Sequence, residues 1–427
     1  MKDDSERLQS VKGMYDLLPP DSLRLREVER IGHEVLRRYG YVEVRTPVVE
    51  YTTLFSRSIG DATDIVEKEM YTFTDRDERS ITMRPEGTAG AVRAYVEHAI
   101  HKADPVSRWY YLGPMFRHER WQRGRYRQFH QLGVEVFGVA DPGADAEVMA
   151  LVVDLARAFG LEELELKVNT LGCAECRPAY RAGLVAFLEP RRELLCEDCQ
   201  RRFGHNPLRV LDCKQERCRA LSLEAPSPVE HACEGCAAHW QGVLADLRAL
   251  EVACEVDARL VRGLDYYSRT TFELVSHGGQ LGSQNTLAGG GRYDGLVGQL
   301  GGPPTPAVGF AMGLERLLLA LPEDRPALAS LAQVVFVTRG EPARRAALPM
   351  VQALRSRGIA VELDHRGMSV KSQMKRADRV GCSVVVLVGE DELQREVVTV
   401  RRMATSTQEE VPVVELAARI DGLLRTS

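Results

Sequence analysis

The sequence predicts an α+β core built on an antiparallel sheet, followed by a smaller α/β module. Residues 108–137 place strand-like segments on both sides of an arginine-rich stretch, as in a long antiparallel hairpin. Residues 334–401 alternate strand-like and helix-like segments, which is typical of a partly parallel sheet covered by helices. Between these regions, four close pairs of cysteines fall within residues 173–236, which indicates a small insert in the core.

A chain of 427 residues is too long for one ordinary core, so we expect several domains. Its net charge of −5 argues against nonspecific coating of polyanions, although a local basic patch could still bind nucleic acid. The first ten residues lack the apolar region of a targeting signal, and the longest apolar run, 382–389, suits a buried strand. We therefore expect a cytoplasmic protein with no membrane association.

Apolar residues at helical spacing predict a first helix within residues 20–40, ended by Gly40. The other elements predicted before the insert are a strand at 41–47, a strand, turn and helix start in 80–95, and strands at 108–112 and 129–137. After the insert we predict strands at 253–260 and 270–275, a glycine cluster at 288–295, and a strand running into a helix at 307–316.

Prolines within residues 322–326 predict a break before the last module. Its predicted elements are strands at 334–338, 359–363, 383–389 and 397–401, and helices at 342–357, at 369–381 and from Val413. The helix at 369–381 has an apolar face (Val370, Met374, Ala377) and a basic stripe (Lys371, Lys375, Arg379), which by default is a solvated face. The predicted domains are the first part of the core at 1–172, the insert at 173–245, the second part of the core at 246–325, and the α/β module at 330–427.

The paired cysteines match the spacing of zinc thiolate sites. Disulfides are disfavoured in a cytoplasmic protein, and C-x-x-C pairs a few tens of residues apart suit tetrahedral Zn²⁺. The alternative is a set of reduced cysteines packed as small hydrophobic residues. We consider structural Zn²⁺ at one or two four-cysteine sites, with the pairing left open, among Cys173, Cys176, Cys196, Cys199, Cys213, Cys218, Cys233 and Cys236.

The segment 116–127 places five arginines beside one glutamate at the tip of the predicted hairpin. Their mutual repulsion is uncompensated, and a polyphosphate would satisfy them through bidentate contacts. The sequence has no P-loop motif and no kinase glycine loop, so an anionic ligand would be held on the sheet by guanidinium groups. The segment 262–267, Arg-Gly-Leu-Asp-Tyr-Tyr, fits a half-buried strand with a surface arginine when taken alone.

Taken together, these segments resemble one enzyme family. Residues 116–119 with 127–135 resemble motif 2 of class II aminoacyl-tRNA synthetases, 309–316 resemble motif 3, and the first helix and strand with Pro47 resemble motif 1. Residues 262–267 and 290–294 resemble the two histidine-specific signatures of histidyl-tRNA synthetases. The ordered match also includes 83–90 and the last module, and so covers nearly the whole chain. Any one motif is weak, whereas the ordered set is specific.

The resemblance implies ligation of L-histidine to histidine tRNA through a histidyl adenylate, with ATP and Mg²⁺. The attacking carboxylate is already a nucleophile, so the reaction needs positive charge and alignment more than a general base. Arg262 would bridge the histidine carboxylate and the α-phosphate. Motif 1 implies a homodimer, and the last module would be the anticodon-binding domain, in which the basic stripe could contact tRNA.

The resemblance also implies roles residue by residue. Arg262 and Arg117 would be catalytic. The residues expected to bind ATP are Arg117, Glu119, Arg125, Phe129 and Arg316. Those expected to bind histidine are Glu86, Thr88 and Gln131 at the α-ammonium, Arg262 at the carboxylate, and Glu135, Tyr267 and Tyr293 around the imidazole.

Two alternatives share the fold. A histidine-sensing regulatory subunit of ATP phosphoribosyltransferase would lack the signature arginine, an intact motif 2 and the last module. All three are present here, since the chain has Arg262, Arg117 with Glu119, and residues 331–427. A class II synthetase for proline or threonine is disfavoured by the two histidine-type signatures. The enzyme that activates histidine is the preferred interpretation.

Overall fold

The computed structural model describes residues 8–60, 63–279, 281, 285–322 and 332–425. The chain forms two compact units, Met1–Glu323 and Asp324–Ser427. Beyond Pro322, the predicted proline break lies outside the described residues. The finer division of the first unit into a core and an insert stays a prediction.

The described helices of the first unit are α1 (Asp21–Arg38), α2 (Thr52–Ile59), α3 (Thr88–Glu97), α4 (Ile100–Ala103), α5 (Pro142–Ala158), α6 (Arg177–Leu188), α7 (Glu197–His205), α8 (Glu216–Ser222), α9 (Glu234–Ala249), α10 (Leu296–Gln299) and α11 (Leu314–Ala320). Its strands are β1 (Val42–Glu43), β2 (Val49–Tyr51), β3 (Tyr71–Thr74), β4 (Ser80–Met83), β5 (Ser107–Phe116), β6 (Gln128–Phe137), β7 (Leu164–Thr170), β8 (Glu255–Val256), β9 (Ser268–Ser276), β10 (Thr286–Arg292) and β11 (Ala307–Gly313). A π-helical turn at Ile65–Glu69 and 3₁₀ turns at Glu189–Leu194, Pro207–Val210 and Pro228–His231 complete the list.

The predicted antiparallel platform is confirmed. Eight strands form one sheet in the order β1-β5-β6-β11-β10-β9-β7-β8, antiparallel throughout except for the two short edge pairs, β1·β5 and β7·β8. The predicted hairpin is β5 and β6, with Ser107 opposite Phe137 and Phe116 opposite Gln128. A separate antiparallel sheet, in the order β2-β4-β3, precedes α3.

Alternation along each strand separates a helix-covered face from an open face. On β6, Leu132 and Val134 are fully buried in a core that also contains residues of α1, α5, α9 and α11. Gln131, on the opposite face of the same strand, lines a cleft. β9 and β11 repeat the arrangement, because Phe272 and Phe310 pack in the core. The sheet therefore carries its functional side chains on the face away from these helices.

The strand predicted at 253–260 is mostly absent, and the strand that residues 262–267 would fit when taken alone does not form. Of the predicted strand 253–260 only β8 forms, and 262–267 is a loop that leads into β9. Asn169 explains part of the difference, because its side-chain amide donates to the carbonyls of Ala258 (3.2 Å) and Leu260 (3.0 Å). These bonds replace the ladder that a strand would supply, so alternation in the sequence did not produce one.

The second unit contains β12 (Val334–Thr338), α12 (Glu341–Ser356), β13 (Val361–Leu363), α13 (Val370–Val380), β14 (Val384–Val388), α14 (Glu390–Gln394), β15 (Val397–Arg402), β16 (Gln408–Pro412), a 3₁₀ turn (Val413–Glu415) and α15 (Leu416–Arg425). Its sheet runs β13-β12-β14-β15-β16, parallel among β13, β12 and β14 and antiparallel afterwards. The α/β prediction is confirmed. The edge strand β16 was missed because it is mostly polar and exposed, and the last helix begins at Leu416 rather than at Val413.

Candidate active site

A cleft of about 700 Å³ lies over the open face of the large sheet. Its lining includes the hairpin loop after β5, the loop 262–267, strands β6, β10 and β11, and the start of α11. The site residues predicted from sequence that line this cleft are Glu86, Thr88, Arg117, Glu119, Arg125, Phe129, Gln131, Arg262, Tyr267 and Arg316. The remaining two, Glu135 and Tyr293, are buried and hydrogen-bonded to each other. The structure thus brings the whole predicted set together.

One end of the cleft is rich in arginine. Arg117 Nε donates to the Pro85 carbonyl at 2.8 Å, and Arg316 donates to the carbonyls of Gly124 (3.0 Å) and Thr286 (3.2 Å). Carbonyl partners orient a guanidinium group without neutralising its charge. Glu315, next to Arg316, accepts from the backbone N–H of His130 at 2.8 Å and so ties α11 to β6. We call Arg117, Glu119, Arg125, Phe129 and Arg316 the arginine end.

The positive charges at the arginine end converge. Burial lowers the pKa of Arg316, and repulsion from Arg125 and Arg117 lowers it further. Glu119 offsets part of this charge, since its carboxylate lies 3.2 Å from Arg125 Nη1 and 3.9 Å from Arg117 Nη1. The Arg117 guanidinium also lies 5.4 Å from the centre of the Phe129 ring. Such an arrangement favours a planar aromatic ligand that carries several negative charges.

The other end of the cleft is closed around a carboxyl group. Glu135 is fully buried and accepts hydrogen bonds from the hydroxyls of Thr88 (2.7 Å), Tyr111 (3.2 Å) and Tyr293. Burial raises the pKa of Glu135 to about 8, although the bonds from Tyr293 and Thr88 act in the opposite direction. Burial therefore favours the neutral form of this carboxyl group. We call Glu86, Thr88, Gln131, Glu135, Tyr267 and Tyr293 the histidine end, after the signatures discussed above.

Two further groups of the histidine end point to a cationic ligand. Glu86 accepts from the backbone N–H groups of Thr88 (2.7 Å) and Ala89 (2.8 Å) at the start of α3. Burial raises the pKa of Glu86 in spite of these bonds. Gln131 Oε1 is buried and has no hydrogen-bond partner within the described part of the chain. A buried acceptor of this kind is costly unless a ligand donates to it.

Arg262 lies between the two ends. Its guanidinium forms an ion pair with Glu273 on β9 and lies directly over Gly289, where a side chain of any size would overlap it. Gly309 is equally constrained, because a β-carbon there would overlap the carboxylate of Glu135. Residues 288–292 of the glycine cluster belong to strand β10. Glycine at position 289 lets the Arg262 side chain lie across the surface of the sheet.

Comparison with known proteins agrees with this geometry. The family model described as histidyl-tRNA synthetase matches residues 13–188 and 199–317, and the model described as anticodon binding domain matches 333–423. The histidine–tRNA ligase of Trichlorobacter lovleyi is 50% identical over 417 residues, which cover 97% of this chain and 99% of the relative. That of Geobacter sulfurreducens is 46% identical over 415 residues, covering 97% and 100%. The chain belongs to the histidyl-tRNA synthetase family.

Solved structures place the fold in the same family. The crystal structure of apo Staphylococcus aureus histidyl-tRNA synthetase has a TM-score of 0.80 and 37% identity, with 97% of this chain and 100% of that chain covered. A structure titled as an ATP phosphoribosyltransferase regulatory subunit/histidyl-tRNA synthetase from Bacillus halodurans has a TM-score of 0.64 and 22% identity, covering 89% and 98%, and shows a shared fold alone. The regulatory paralogue is thus the less supported alternative. Family membership implies ATP with Mg²⁺ in general terms.

Several cleft residues were not predicted from the synthetase signatures. Glu273 pairs with Arg262, Tyr111 donates to Glu135, and Tyr266 lines the cleft. Glu273 had a recognisable signal, because a lone carboxylate in the otherwise uncharged strand core 270–275 requires a cationic partner. Residues of the predicted insert also line the cleft, among them Arg209 and Lys214, and nothing in the sequence indicated their position.

The eight paired cysteines form two four-sulfur clusters. The root cluster consists of Cys173, Cys176, Cys233 and Cys236, and the cleft cluster consists of Cys196, Cys199, Cys213 and Cys218. Within each cluster the sulfurs lie within 4.8 Å of one another, so either cluster could hold a metal ion. Cys196 and Cys213 line the synthetase cleft, and Cys196 lies between the two ranges that the family model matches.

No helix among the described residues is long and apolar enough to cross a membrane.

Proposed function

We propose that the chain activates L-histidine with ATP and transfers the histidyl group to histidine tRNA. The observation that carries this proposal is the shared cleft, in which Arg117, Arg262 and Arg316 face one ligand space next to the buried Glu135. In the first step a carboxylate oxygen of histidine attacks the α-phosphorus of MgATP. A new O–P bond forms, the bond to the bridging oxygen breaks, and pyrophosphate leaves. In the second step a ribose hydroxyl of the 3′-terminal adenosine of the tRNA attacks the carbonyl carbon of the adenylate. An ester bond forms, the bond from that carbon to the phosphate oxygen breaks, AMP leaves, and the hydroxyl proton is released.

The arginine end would bind ATP. Arg117 and Arg262 are assigned to the α-phosphate, where charge develops, and Arg316 and Arg125 to the outer phosphates. Phe129 would stack on adenine and Glu119 would accept from its amino group. Preorganised guanidinium groups can stabilise the transition state without a catalytic nucleophile. The carbonyl contacts of Arg117 and Arg316 support this assignment, because those side chains are oriented before any ligand binds.

The histidine end would select the amino acid. Glu86, Thr88 and Gln131 are assigned to the α-ammonium group, and Glu135, Tyr267 and Tyr293 to the imidazole. A buried carboxyl that needs a partner strongly disfavours an apolar side chain of similar size. The unpaired Gln131 Oε1 supports the ammonium site.

Pyrophosphate exchange measured with each of the twenty amino acids tests the proposal. We expect exchange with histidine alone. Exchange with another amino acid would overturn the assignment of substrate, and histidine binding without exchange would favour the regulatory paralogue.

The partners and the location belong to the same proposal. The basic stripe of Lys371, Lys375 and Arg379 is exposed on α13, which fits a tRNA anticodon contact, whereas Val370 of the predicted apolar face is exposed and Gln373 is buried instead.

A homodimer is supported by exposed apolar residues near motif 1, such as Val42 and Tyr51. Sedimentation of the purified protein at twice the monomer mass would bear this out. We keep the cytoplasm as the expected location.

We further propose that each cysteine cluster binds one structural Zn²⁺. Four sulfurs at about 2.3 Å from zinc lie about 3.8 Å apart, whereas a disulfide brings two sulfurs to about 2.05 Å. The distances are 3.7 Å for Cys173–Cys176, 3.8 Å for Cys173–Cys233 and for Cys176–Cys236, and 3.7 Å for Cys196–Cys213. Backbone N–H groups of Cys173 and Cys196 donate to cluster sulfurs at 3.2 Å, as they do in thiolate sites.

Metal analysis of protein purified without chelator tests this assignment. We expect about two zinc ions per chain, one for each cluster, by the usual four-cysteine stoichiometry. The variant Cys254→Ser, which changes a cysteine outside both clusters, should keep both ions. A zinc-free wild-type protein would end the proposal.

A further inference from the structure

The cleft cluster joins the two ends of a segment whose middle part contacts the loop 262–267. Its ligands lie at the two ends of the segment 196–218. Cys196 and Cys199 are at the start of α7, Cys213 is just before α8, and Cys218 is within α8. The Cys196 backbone N–H donates to Cys218 Sγ at 3.2 Å across 22 positions of sequence. A single metal ion at this cluster would therefore clamp both ends of the segment.

The middle of this segment reaches the core through polar side chains. Asn206 Nδ2 donates to Asp265 Oδ1 at 3.0 Å, inside the loop 262–267. Arg202 forms an ion pair with Asp64 at 2.9 Å, and Arg209 lies 3.9 Å from the same carboxylate. Arg209 also lies beside Gly263, where a β-carbon would be 3.5 Å from its Nη1 atom.

The loop 262–267 depends on such external contacts. It is not part of a strand, so no β-ladder orients its backbone. Asp265 N–H donates to the Ile59 carbonyl at 3.1 Å, and Arg177 donates to the Tyr267 carbonyl. Arg262 starts this loop and must lie over Gly289 to reach the cleft, while Tyr267 ends it at the buried tyrosine group. A small shift of the loop would move both side chains away from their ligands.

We propose that metal bound at the cleft cluster is a positioning device for the loop 262–267 and so for Arg262 and Tyr267. This inference rests on the proposed zinc sites and on the proposed histidine activation. The segment 196–218 contains α7, a 3₁₀ turn and the start of α8, and its apolar residues Phe203, Val210 and Leu211 pack in the same buried cluster as Tyr266 and Tyr267. A clamp at the two ends of the segment would therefore also fix the apolar surface against which the loop packs. The root cluster, by contrast, lies outside the cleft lining. It joins the chain after β7 to the start of α9.

Three variants separate the metal, the contacts and general damage. Cys213→Ser removes one ligand of the cleft cluster. Asn206→Ala combined with Arg209→Ala removes the contacts and leaves all eight cysteines in place. Cys254→Ser is the matched cysteine control. For each full-length variant we would measure zinc content, hydrogen exchange of residues 262–267, and the kcat/KM for histidine in pyrophosphate exchange.

We expect Cys213→Ser to lose one zinc ion, to exchange faster in the loop, and to lose about tenfold or more in kcat/KM, as for a modest misplacement of a catalytic group. The Asn206/Arg209 variant should keep both ions and reproduce the faster loop exchange and the lower rate. The control should match the wild type. If Cys213→Ser does not fold, the Asn206/Arg209 variant still tests the contacts.

The possible outcomes separate the positioning role of the metal from the two proposals on which it rests, the zinc sites and histidine activation. Wild-type protein with two zinc ions and variants with unchanged loop exchange and rate would overturn the inference while the zinc sites stand. Zinc-free wild-type protein with normal histidine-dependent exchange would overturn the metal proposals and leave the enzyme assignment intact. Absence of histidine-dependent exchange in the wild type would overturn the proposed function itself.

Discussion

The two ends of the cleft handle charge in opposite ways. At the arginine end, Arg125 keeps 37% of its side chain exposed, and carbonyl groups orient Arg117 and Arg316 without cancelling their charge. At the histidine end, Glu135 is 0% exposed and is surrounded by hydroxyl groups. The first environment leaves positive charge available for a polyphosphate. The second makes an isolated negative charge costly, and so favours a ligand that shares a proton with the carboxyl group.

The difference shows how one sheet face can bind two chemically unlike groups. Guanidinium groups stay charged at one end because their pKa is very high, even though burial lowers the pKa of Arg316, whereas tyrosines exclude water around the carboxyl group at the other end. Arg262 stands at the boundary, where Glu273 and Gly289 hold it in place. Variants at the boundary and at each end should therefore differ in kind as well as in size.

The largest effect is expected from Arg262→Ala. This change removes the group that would serve both substrates at once, so adenylate formation should fall by about 10²–10³-fold, as for loss of one preorganised donor. Histidine-dependent pyrophosphate exchange measures it, and circular dichroism with sedimentation checks that the variant still folds and associates. A normal exchange rate would remove Arg262 from the catalytic role.

A smaller and one-sided effect is expected from Glu135→Gln. The amide keeps the shape but cannot become a carboxylate opposite the imidazole, so the KM for histidine should rise by about 10–100-fold. The KM for ATP should change little, because the arginine end is untouched. Equal increases in both constants would contradict the separation of the two ends.

The same carboxyl predicts a pH-dependent stability in the absence of ligand. Burial raises the pKa of Glu135 from 4.5 to about 8, so the folded protein keeps a proton that the unfolded chain releases as the pH rises. The stabilisation is fully present below about pH 4.5 and is lost as the pH rises through about 8.

Urea unfolding of wild type and Glu135→Gln across this pH range isolates the contribution, because other buried acids are common to both proteins. The wild type should lose more stability than the variant between about pH 4 and pH 9, a range chosen to bracket the two pKa values of 4.5 and about 8. Parallel curves for the two proteins would show that Glu135 is already ionised in the folded state.

The smallest effect is expected from Phe129→Leu at the arginine end. Loss of an aromatic stacking partner should raise the KM for ATP by about threefold to tenfold. The KM for histidine should stay unchanged, as the mirror image of the Glu135 result. A larger effect on histidine than on ATP would place Phe129 at the wrong end of the cleft.

Most of the fold and the membership of the site could be predicted from sequence, since strand alternation and ordered motifs are local in the chain. The structure differed where tertiary contacts replaced local preference. Residues 262–267 form a loop whose backbone is bonded to groups from elsewhere in the chain, since the Asp265 N–H donates to the Ile59 carbonyl and Arg177 donates to the Tyr267 carbonyl. The partner of Arg262 was also missed, because Glu273 lies on β9 whereas Arg262 lies in the preceding loop, and no local spacing connects the two.

The antiparallel platform, the separate α/β unit, the family and the residue types of the cleft were all predictable from the amino-acid sequence. Periodicity and motif order express these features within short stretches of chain. The folded chain adds three features, namely the division of the eight cysteines into two clusters, the position of one cluster at the cleft, and the burial that raises the pKa of Glu135. The grouping of the cysteines and the burial of Glu135 depend on contacts between segments that are far apart in the sequence. No single stretch of residues determines the free energy of those contacts.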